Sequence, residues 1–142
     1  MAEAATPDWT HFPHEGDVGV CGHGASMEEA FENAARAMTA VIVPLDLIRA
    51  NATTRVSCRA ADREILLLDW LNAVIYAMAT EGMVYRDFKV RIEGERLEGE
   101  MRGEKVEPAR HEPSVELKGA TLTELEVAEE NGRWRAQCVV DV

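Results

Sequence analysis

The chain has 142 residues, of which 46% are hydrophobic, and this length predicts one globular domain with a core of ordinary size. Its formal net charge of −11 excludes tight binding of nucleic acid through a basic face and suits a protein whose partner is basic. Three scattered cysteines without CxxC spacing, Cys21, Cys58 and Cys138, indicate buried thiols in a reducing compartment rather than a disulfide framework or a zinc site.

The first predicted elements are a strand and a helix. Residues 1–12 have no clear periodicity, and we expect this segment to be loosely ordered. A short strand is predicted over residues 17–23. Ser26 and Glu29 then have the form of a capping box that begins a helix, and Pro44 bounds it. The single apolar stripe of this helix predicts packing on one face only.

A second strand and a second helix follow. The strand is predicted over residues 53–59, where β-branched side chains are frequent. Asp62 is suited to cap the helix and Gly82 to end it, and a wide apolar stripe makes this the central helix. Its longest apolar stretch contains Asp69 and Asn72 and is shorter than the ~20 residues that a membrane span requires. With no signal peptide in the sequence, we expect a cytoplasmic protein without membrane association.

The rest of the chain is predicted to be mainly β. Strands are expected over residues 83–92 and, more weakly, 97–101, whereas the prolines that bound residues 107–113 argue against regular structure there. Asn131 and Gly132 form a turn that joins strands over residues 122–128 and 134–140 in a hairpin. The order of elements predicts a two-layer α/β (α+β) domain over residues 1–142, with one mixed sheet and two main helices.

The last residues of the sequence are rich in carboxylates, and their mutual repulsion makes them the strongest candidate site. Asp141 and the main-chain carboxylate of Val142 place two negative charges side by side. Asp17, near the other end, also lies at the edge of an apolar alternating run. If Asp17 lies close to the other two, three anionic groups converge and repel one another unless a cation lies between them. Oxygen donors alone favour a hard cation such as calcium or magnesium.

Other candidate sites have weaker support in the residues themselves. His14 and Asp17 stand three residues apart beside a glycine, but such a pair in a turn is usually structural. His23 lacks the second soft ligand that zinc needs. Cys58 and His111 could form a nucleophile pair, although nothing in their local sequence favours it.

Taken together, these segments resemble the archease family. Residues 14–20 read His-Glu-Gly-Asp-Val-Gly-Val, where the family usually has His-Thr-Ala-Asp followed by Ile or Val and Gly. The family usually has Tyr-His where this chain has Leu122-Thr123. The resemblance covers nearly all of residues 11–142 in collinear order, and its other segments are residues 28–35, 68–72, 80–82, 108–112, 115–121 and 131–142.

This resemblance implies an accessory protein that activates an RtcB-type RNA ligase. Such a ligase joins 2′,3′-cyclic-phosphate and 5′-hydroxyl RNA ends in tRNA splicing and RNA repair. The implied role is to promote the histidine–GMP intermediate of the ligase and its multiple turnover, without catalytic residues in the activator itself.

The resemblance also implies a metal site and further functional residues. By position the ligands would be Asp17, Asp141 and the main-chain carboxylate or carbonyl of Val142, with calcium as the preferred ion and magnesium or manganese as alternatives. The further candidates that match family motif positions are Lys118, His14 and His111.

Two other classes of function are alternatives. One is a metal-dependent phosphohydrolase or nuclease that uses the same carboxylates, against which stand the acidic surface and the absence of a clear general base. The other is a chaperone-like interaction module without metal chemistry. Turnover of generic phosphodiesters by the protein alone would favour the first, and partner binding that does not depend on metal would favour the second.

Overall fold

The computed structural model describes residues 7–142. The strands are β1 (Trp9–His14), β2 (Asp17–Gly24), β3 (Ala52–Arg59), β4 (Met83–Glu93), β5 (Arg96–Lys105), β6 (Gly119–Ala120), β7 (Glu126–Glu130) and β8 (Arg133–Asp141). The helices are α1 (Met27–Ile42), α2 (Arg63–Glu81) and the single turn α3 (Pro108–His111), with a 3₁₀ turn at Leu45–Leu47. No helix within residues 7–142 is long and apolar enough to span a membrane.

The strands form two separate sheets. The five-stranded sheet has the order β1-β2-β8-β6, with β7 also paired to β8, and the three-stranded sheet has the order β3-β5-β4. Every observed strand pair is antiparallel. The α+β class with two main helices is confirmed. Two antiparallel sheets take the place of the single mixed sheet that we expected, because β2 pairs with the distant β8 while β3, β4 and β5 pair only among themselves.

Helix α1 connects the two sheets. It begins where the Ser26 hydroxyl accepts the N–H of Glu29 at 3.1 Å, as the capping box predicts. Its buried side chains contact β2 and β8 on one side and β4 on the other, so the expectation of packing on one face is wrong. The reason lies in small residues: a Cβ on Gly22 of β2 would overlap the main chain of Ala30, so only glycine permits this close approach.

Helix α2 begins and ends where its sequence predicts. The Asp62 carboxylate accepts the N–H of Ile65 at 3.0 Å, and Gly82 ends the helix with a left-handed φ of +63°. The fully buried indole of Trp70 donates to the carbonyl of Phe31 at 3.0 Å. The same ring fills the space over Gly99 of β5, so α2 is fixed to both α1 and the three-stranded sheet.

Two segments expected to be irregular contain regular structure. Residues 1–6 lie outside the described part of the chain, but Trp9–His14 pairs with β2, so the expectation of a loose segment is wrong for residues 9–12. The sequence of β1 conceals the alternation because His11 and Pro13 are exposed and none of its residues is fully buried. The strand nevertheless contacts α1, since the His11 ring lies 2.7 Å from the carbonyl of Ala37. The expectation of irregular structure over residues 107–113 is wrong for α3, which starts on Pro108, a position that suits proline.

The C-terminal hairpin is confirmed with one change. Asn131 and Gly132 have φ values of +55° and +77°, as a two-residue hairpin turn requires, and they join β7 to β8. Strand β7 begins at Glu126 rather than at Leu122.

Candidate functional site

Residues 17 and 142 meet at one end of the five-stranded sheet. The β2–β8 register runs from Val18 opposite Val140 to Gly24 opposite Trp134. Extending that antiparallel register by one residue places Asp17 opposite Asp141. The main-chain N–H of Val142 donates to Oδ1 of Asp17 at 3.3 Å. Asp17 and the C-terminal residues, which the sequence analysis considered together, therefore lie at the same end of this sheet.

The two aspartates lie on the face of the sheet that points away from the helices. Val140, next to Asp141, belongs to the hydrophobic core that includes the buried side chains of α1 and α2, and alternate residues of a strand point to opposite faces. His14 pairs directly with Asp17 across the β1–β2 turn and so occupies the same face. The turn is tight because Glu15 and Gly16 both take positive φ, at +47° and +88°. The structure thus brings His14 to the same end of the sheet as the carboxylates.

Strand β6 brings Lys118 to this site. The Lys118 main-chain N–H donates to the carbonyl of Asp141 at 2.8 Å, and Gly119 pairs with Asp141 in the ladder. The lysine side chain is exposed to solvent. Lys118 therefore contacts Asp141 through its main chain, and its side chain is exposed beside that residue.

Asn72 of α2 holds β6 in place. Its carboxamide oxygen accepts the N–H of Ala120 at 2.9 Å, and its amide nitrogen donates to the carbonyl of the same residue at 3.3 Å. This pair of hydrogen bonds fixes a strand of only two residues to a long helix. The sequence analysis noted Asn72 as a polar interruption of an apolar stretch but did not connect it with the site.

The charges at this site have no ion-pair partner in the described chain. Within residues 7–142 no Lys, Arg or His nitrogen lies within 4.0 Å of a carboxylate oxygen of Asp17 or Asp141. In the same residues no group of three or more His, Cys, Asp or Glu side chains is arranged to hold a metal. The donor set reaches three only with the main-chain oxygens of Val142. All of these donors are oxygen atoms, and such a set fits a hard cation.

His111 belongs to a different cluster. Its Nδ1 accepts the N–H of Glu107 at 2.8 Å, so the hydrogen of this neutral ring is on Nε2, which lies 3.1 Å from the carboxylate of Glu104. The same carboxylate accepts from the Arg110 guanidinium and from the Arg49 N–H, both at 2.6 Å. Both ring nitrogens of His111 are thus engaged in fixing α3, and neither faces the aspartates of the site.

The Glu104 carboxylate stays charged although it is buried. The hydrogen bond from Arg110 lowers its pKa to about 2 against the opposing effect of burial, and the Arg49 N–H and His111 also lower it. An anionic Glu104 on β5 therefore holds α3 and the segment that follows the 3₁₀ turn together.

The thiols do not form a reactive site. Burial is the main cause that raises the pKa of Cys58 to about 11 and that of Cys138 to about 12, so both stay protonated at neutral pH. Because His111 has no free nitrogen, it cannot act as a base for Cys58. The Cys21 sulfur lies 3.5 Å from Nε2 of His23, but these two residues have no third metal ligand within residues 7–142.

Comparisons with known proteins match almost all of this chain to one family. The model of the Archease protein family (MTH1598/TM1083) matches residues 9–142. A protein named archease from Pyrococcus abyssi is 37% identical over 139 residues, which cover 94% of this chain and 98% of that protein. A protein of the same name from Aeropyrum pernix is 35% identical over 139 residues, covering 94% and 96%.

Solved structures give the same result. The solution structure of Methanobacterium thermoautotrophicum protein 1598 matches with a TM-score of 0.85 at 31% identity, covering 95% of this chain and 99% of that one. The crystal structure of an archease from Thermotoga maritima, described as a possible chaperone, matches with a TM-score of 0.63 over the full length of both chains. At 18% identity this second match shows the fold alone.

Proposed function

The chain belongs to the archease family, and on that premise we propose that it is a metal-binding, non-catalytic activator of an RtcB-type RNA ligase. Its role would be to promote guanylylation of the ligase and to sustain multiple turnover in tRNA splicing and RNA repair. The observation that carries the proposal is the 3.3 Å hydrogen bond from the Val142 N–H to Asp17, because it brings the start of β2 and the residues after β8 to one anionic site.

In this proposal Asp17, Asp141 and a main-chain oxygen of Val142 hold a divalent cation. Calcium suits a set of oxygen donors, and magnesium or manganese are alternatives. A bound cation would neutralise the converging carboxylates and supply a positive charge that attracts a phosphate or carboxylate oxygen of the ligase complex.

The chain's own residues prepare this site for its partner. The Val142 N–H orients the carboxylate of Asp17, and Asn72 holds β6 against β8. Lys118 would present its ammonium group to a nucleotide phosphate or to a carboxylate of the ligase. His14 lies at the rim on the same face, where it would contact the docked partner.

The charge of the whole chain supports a protein partner rather than RNA. With a net charge of −11, the surface would dock on a basic region of the ligase and would not bind nucleic acid tightly by itself. Cys21, Cys58 and Cys138 are all free thiols, which suits a cytoplasmic location.

Multiple-turnover ligation by the cognate ligase tests this function. We expect the wild-type protein to accelerate turnover, and Asp17→Asn and Asp141→Asn to lose most of that acceleration because each removes one anionic donor. Asp46→Asn is the matched control, since Asp46 is exposed on the 3₁₀ turn and distant in sequence from both ends. No acceleration by the wild type, or full acceleration by both site variants, would overturn the proposal.

The same purified proteins separate the two alternatives. Hydrolysis of generic phosphodiesters by the wild type alone, lost in Asp17→Asn, would establish a hydrolase instead. A chaperone-like role is the alternative suggested by the description of the Thermotoga maritima relative. Partner binding that stays intact in an Asp141→Ala variant that no longer takes up metal would favour that role.

A further inference from the structure

Strand β3 is an edge of the three-stranded sheet, and half of its main-chain groups point away from the sheet. The Ala60 N–H donates to the carbonyl of Glu95, and the register continues from Arg59 opposite Arg96 to Ala52 opposite Gly103. Hydrogen-bonded and non-hydrogen-bonded pairs alternate in an antiparallel ladder, so the even-numbered residues of β3 bond to β5. The residues whose N–H and C=O point outward are Thr53, Arg55, Ser57 and Arg59.

Strand β4, at the other edge of the same sheet, gives independent support for this assignment of the outward-pointing residues. On β4 the Val90 N–H donates to the carboxylate of Glu32 at 2.8 Å, and the Phe88 carbonyl accepts from Arg36 at 3.5 Å. Both of these β4 groups therefore point away from β5, as the alternation requires. Helix α1 covers this second edge with side chains, whereas no hydrogen bond within residues 7–142 reaches the outward groups of β3.

The other strand edges are protected in ways that β3 is not. The Val127 N–H of β7 donates to the carboxylate of Glu64 on α2 at 2.9 Å. A helix glutamate therefore covers this edge, as Glu32 covers the edge of β4. Strand β1 carries Pro13, and β6 has only two residues. Strand β3 has eight residues, no proline and no covering side chain, so its edge can accept another strand.

The side chains of β3 define which strand would fit. The side chain of Arg55 is 77% exposed, and its guanidinium comes no closer than 4.0 Å to the carboxylate of Glu100, which makes this a weak ion pair. Arg59 stands opposite another arginine, and β3 contains no acidic residue. A second copy of β3 would place arginines on the same face as these two, which is unfavourable. An added strand with acidic side chains on this face would pair with both.

The opposite face of β3, which faces the core, carries the apolar side chains of Val56 and Cys58. Val56 and Cys58 pack against the hydrophobic core but are only partly buried. Alternate side chains of an added strand would lie beside them and cover their exposed parts.

We propose that β3 is a docking edge that takes an extended acidic peptide of a partner protein as a fourth strand. Acidic side chains of the peptide would face Arg55 and Arg59, and its apolar side chains would continue the row of Val56 and Cys58. The peptide would bond through its main chain to the outward N–H and C=O groups. This inference concerns the other sheet and does not depend on the metal site or on ligase activation.

Binding of a designed peptide tests the proposal. The probe is a fluorescent, end-blocked peptide of the length of β3 in which glutamate alternates with valine, titrated into the full chain by fluorescence anisotropy. The control peptide has lysine in place of glutamate. We expect saturable binding of the acidic peptide and at least about tenfold weaker binding of the lysine peptide.

Two variants identify the edge. Ser57→Pro removes an outward N–H without removing a bond to β5, so the sheet is preserved while the added strand loses a donor. Ser57→Ala keeps that N–H and is the matched control. We expect about tenfold weaker binding for Ser57→Pro, none of that loss for Ser57→Ala, and a similar loss for Arg55→Glu. Circular dichroism and thermal unfolding check that each variant is folded.

Three results would overturn the proposal. The first is no binding of the acidic peptide to the wild type. The second is equal binding of that peptide by wild type and a folded Ser57→Pro variant. The third is a wild-type dimer in sedimentation that Ser57→Pro dissociates, since this would assign the edge to a second copy of the chain.

Discussion

Replacing Asn72 by alanine is expected to release β6 from α2 and so to disturb the anionic site without touching any of its donors. The carboxamide makes two hydrogen bonds to the main chain of Ala120, at 2.9 and 3.3 Å. Each such bond contributes about 1 kcal/mol net, and both main-chain groups of the half-buried Ala120 lose their partner. The free energy of unfolding should therefore fall by about 2 kcal/mol. For a domain of this size, that lowers Tm by roughly 4–8 °C.

Thermal unfolding by calorimetry, with chelator and then with calcium, measures both consequences of Asn72→Ala. In chelator the variant should show the loss in Tm, and in calcium it should gain less stabilisation than the wild type. The reason is that the Lys118 N–H no longer holds the carbonyl of Asp141.

Thr80→Ala is the control for Asn72→Ala, because it removes a hydrogen bond within the same helix, to the carbonyl of Tyr76, at an exposed position. A Tm of Asn72→Ala within about 1 °C of wild type in chelator would refute the reasoning.

Three further changes have expected outcomes. Because the folded pKa of Glu104, about 2, lies below its ordinary value of 4.5, the stability that this carboxylate contributes is complete above pH 5 and is lost as pH falls towards 2. In urea unfolding, the free energy of unfolding should fall less steeply below pH 5 for Glu104→Gln than for the wild type. An equally steep fall in both proteins would contradict this. Gly99→Ala would push a Cβ into the ring of Trp70 and should cost at least about 2 kcal/mol in urea unfolding. At Gly119 an added Cβ would meet only Asn72 Oδ1, at an ordinary contact distance of 3.5 Å, so Gly119→Ala should cost less than about 1 kcal/mol. Residues added after Val142 should weaken calcium binding at least about tenfold in titration calorimetry, and a tag at the other end should leave it unchanged.

The local elements of the fold could be predicted because their signals lie within a few residues. Ser26, Asp62 and Gly82 act as the helix ends that their chemistry indicates. Asn131 and Gly132 likewise form the turn that their tolerance of positive φ indicates.

The division into two sheets could not be predicted, because it depends on contacts between distant segments. Periodicity shows that residues 17–23 and 134–140 are strands, but nothing local states that they pair with each other. Strand β1 was missed for a different reason: its residues show no clear apolar alternation, since none of them is fully buried and both His11 and Pro13 are exposed.

The acidic residues of the candidate site could be predicted from the sequence, but the contacts that hold its strands in place could not. The acidic residues at the two ends could be selected from their repulsion and from the resemblance, and the register places Asp17 opposite Asp141. Asn72 acts on the main chain of Ala120, a partner that no sequence motif identifies. His111 falls on a motif position, yet both of its ring nitrogens serve the cluster around Glu104.

Calcium binding to the purified chain, measured by isothermal titration calorimetry, tests the central claim most directly. The account predicts about one calcium ion per chain, with affinity reduced at least about tenfold in Asp17→Asn and in Asp141→Asn and unchanged in Asp46→Asn. Binding that is absent in the wild type, or equally strong in all four proteins, would contradict the assignment of Asp17, Asp141 and Val142 as a cation site.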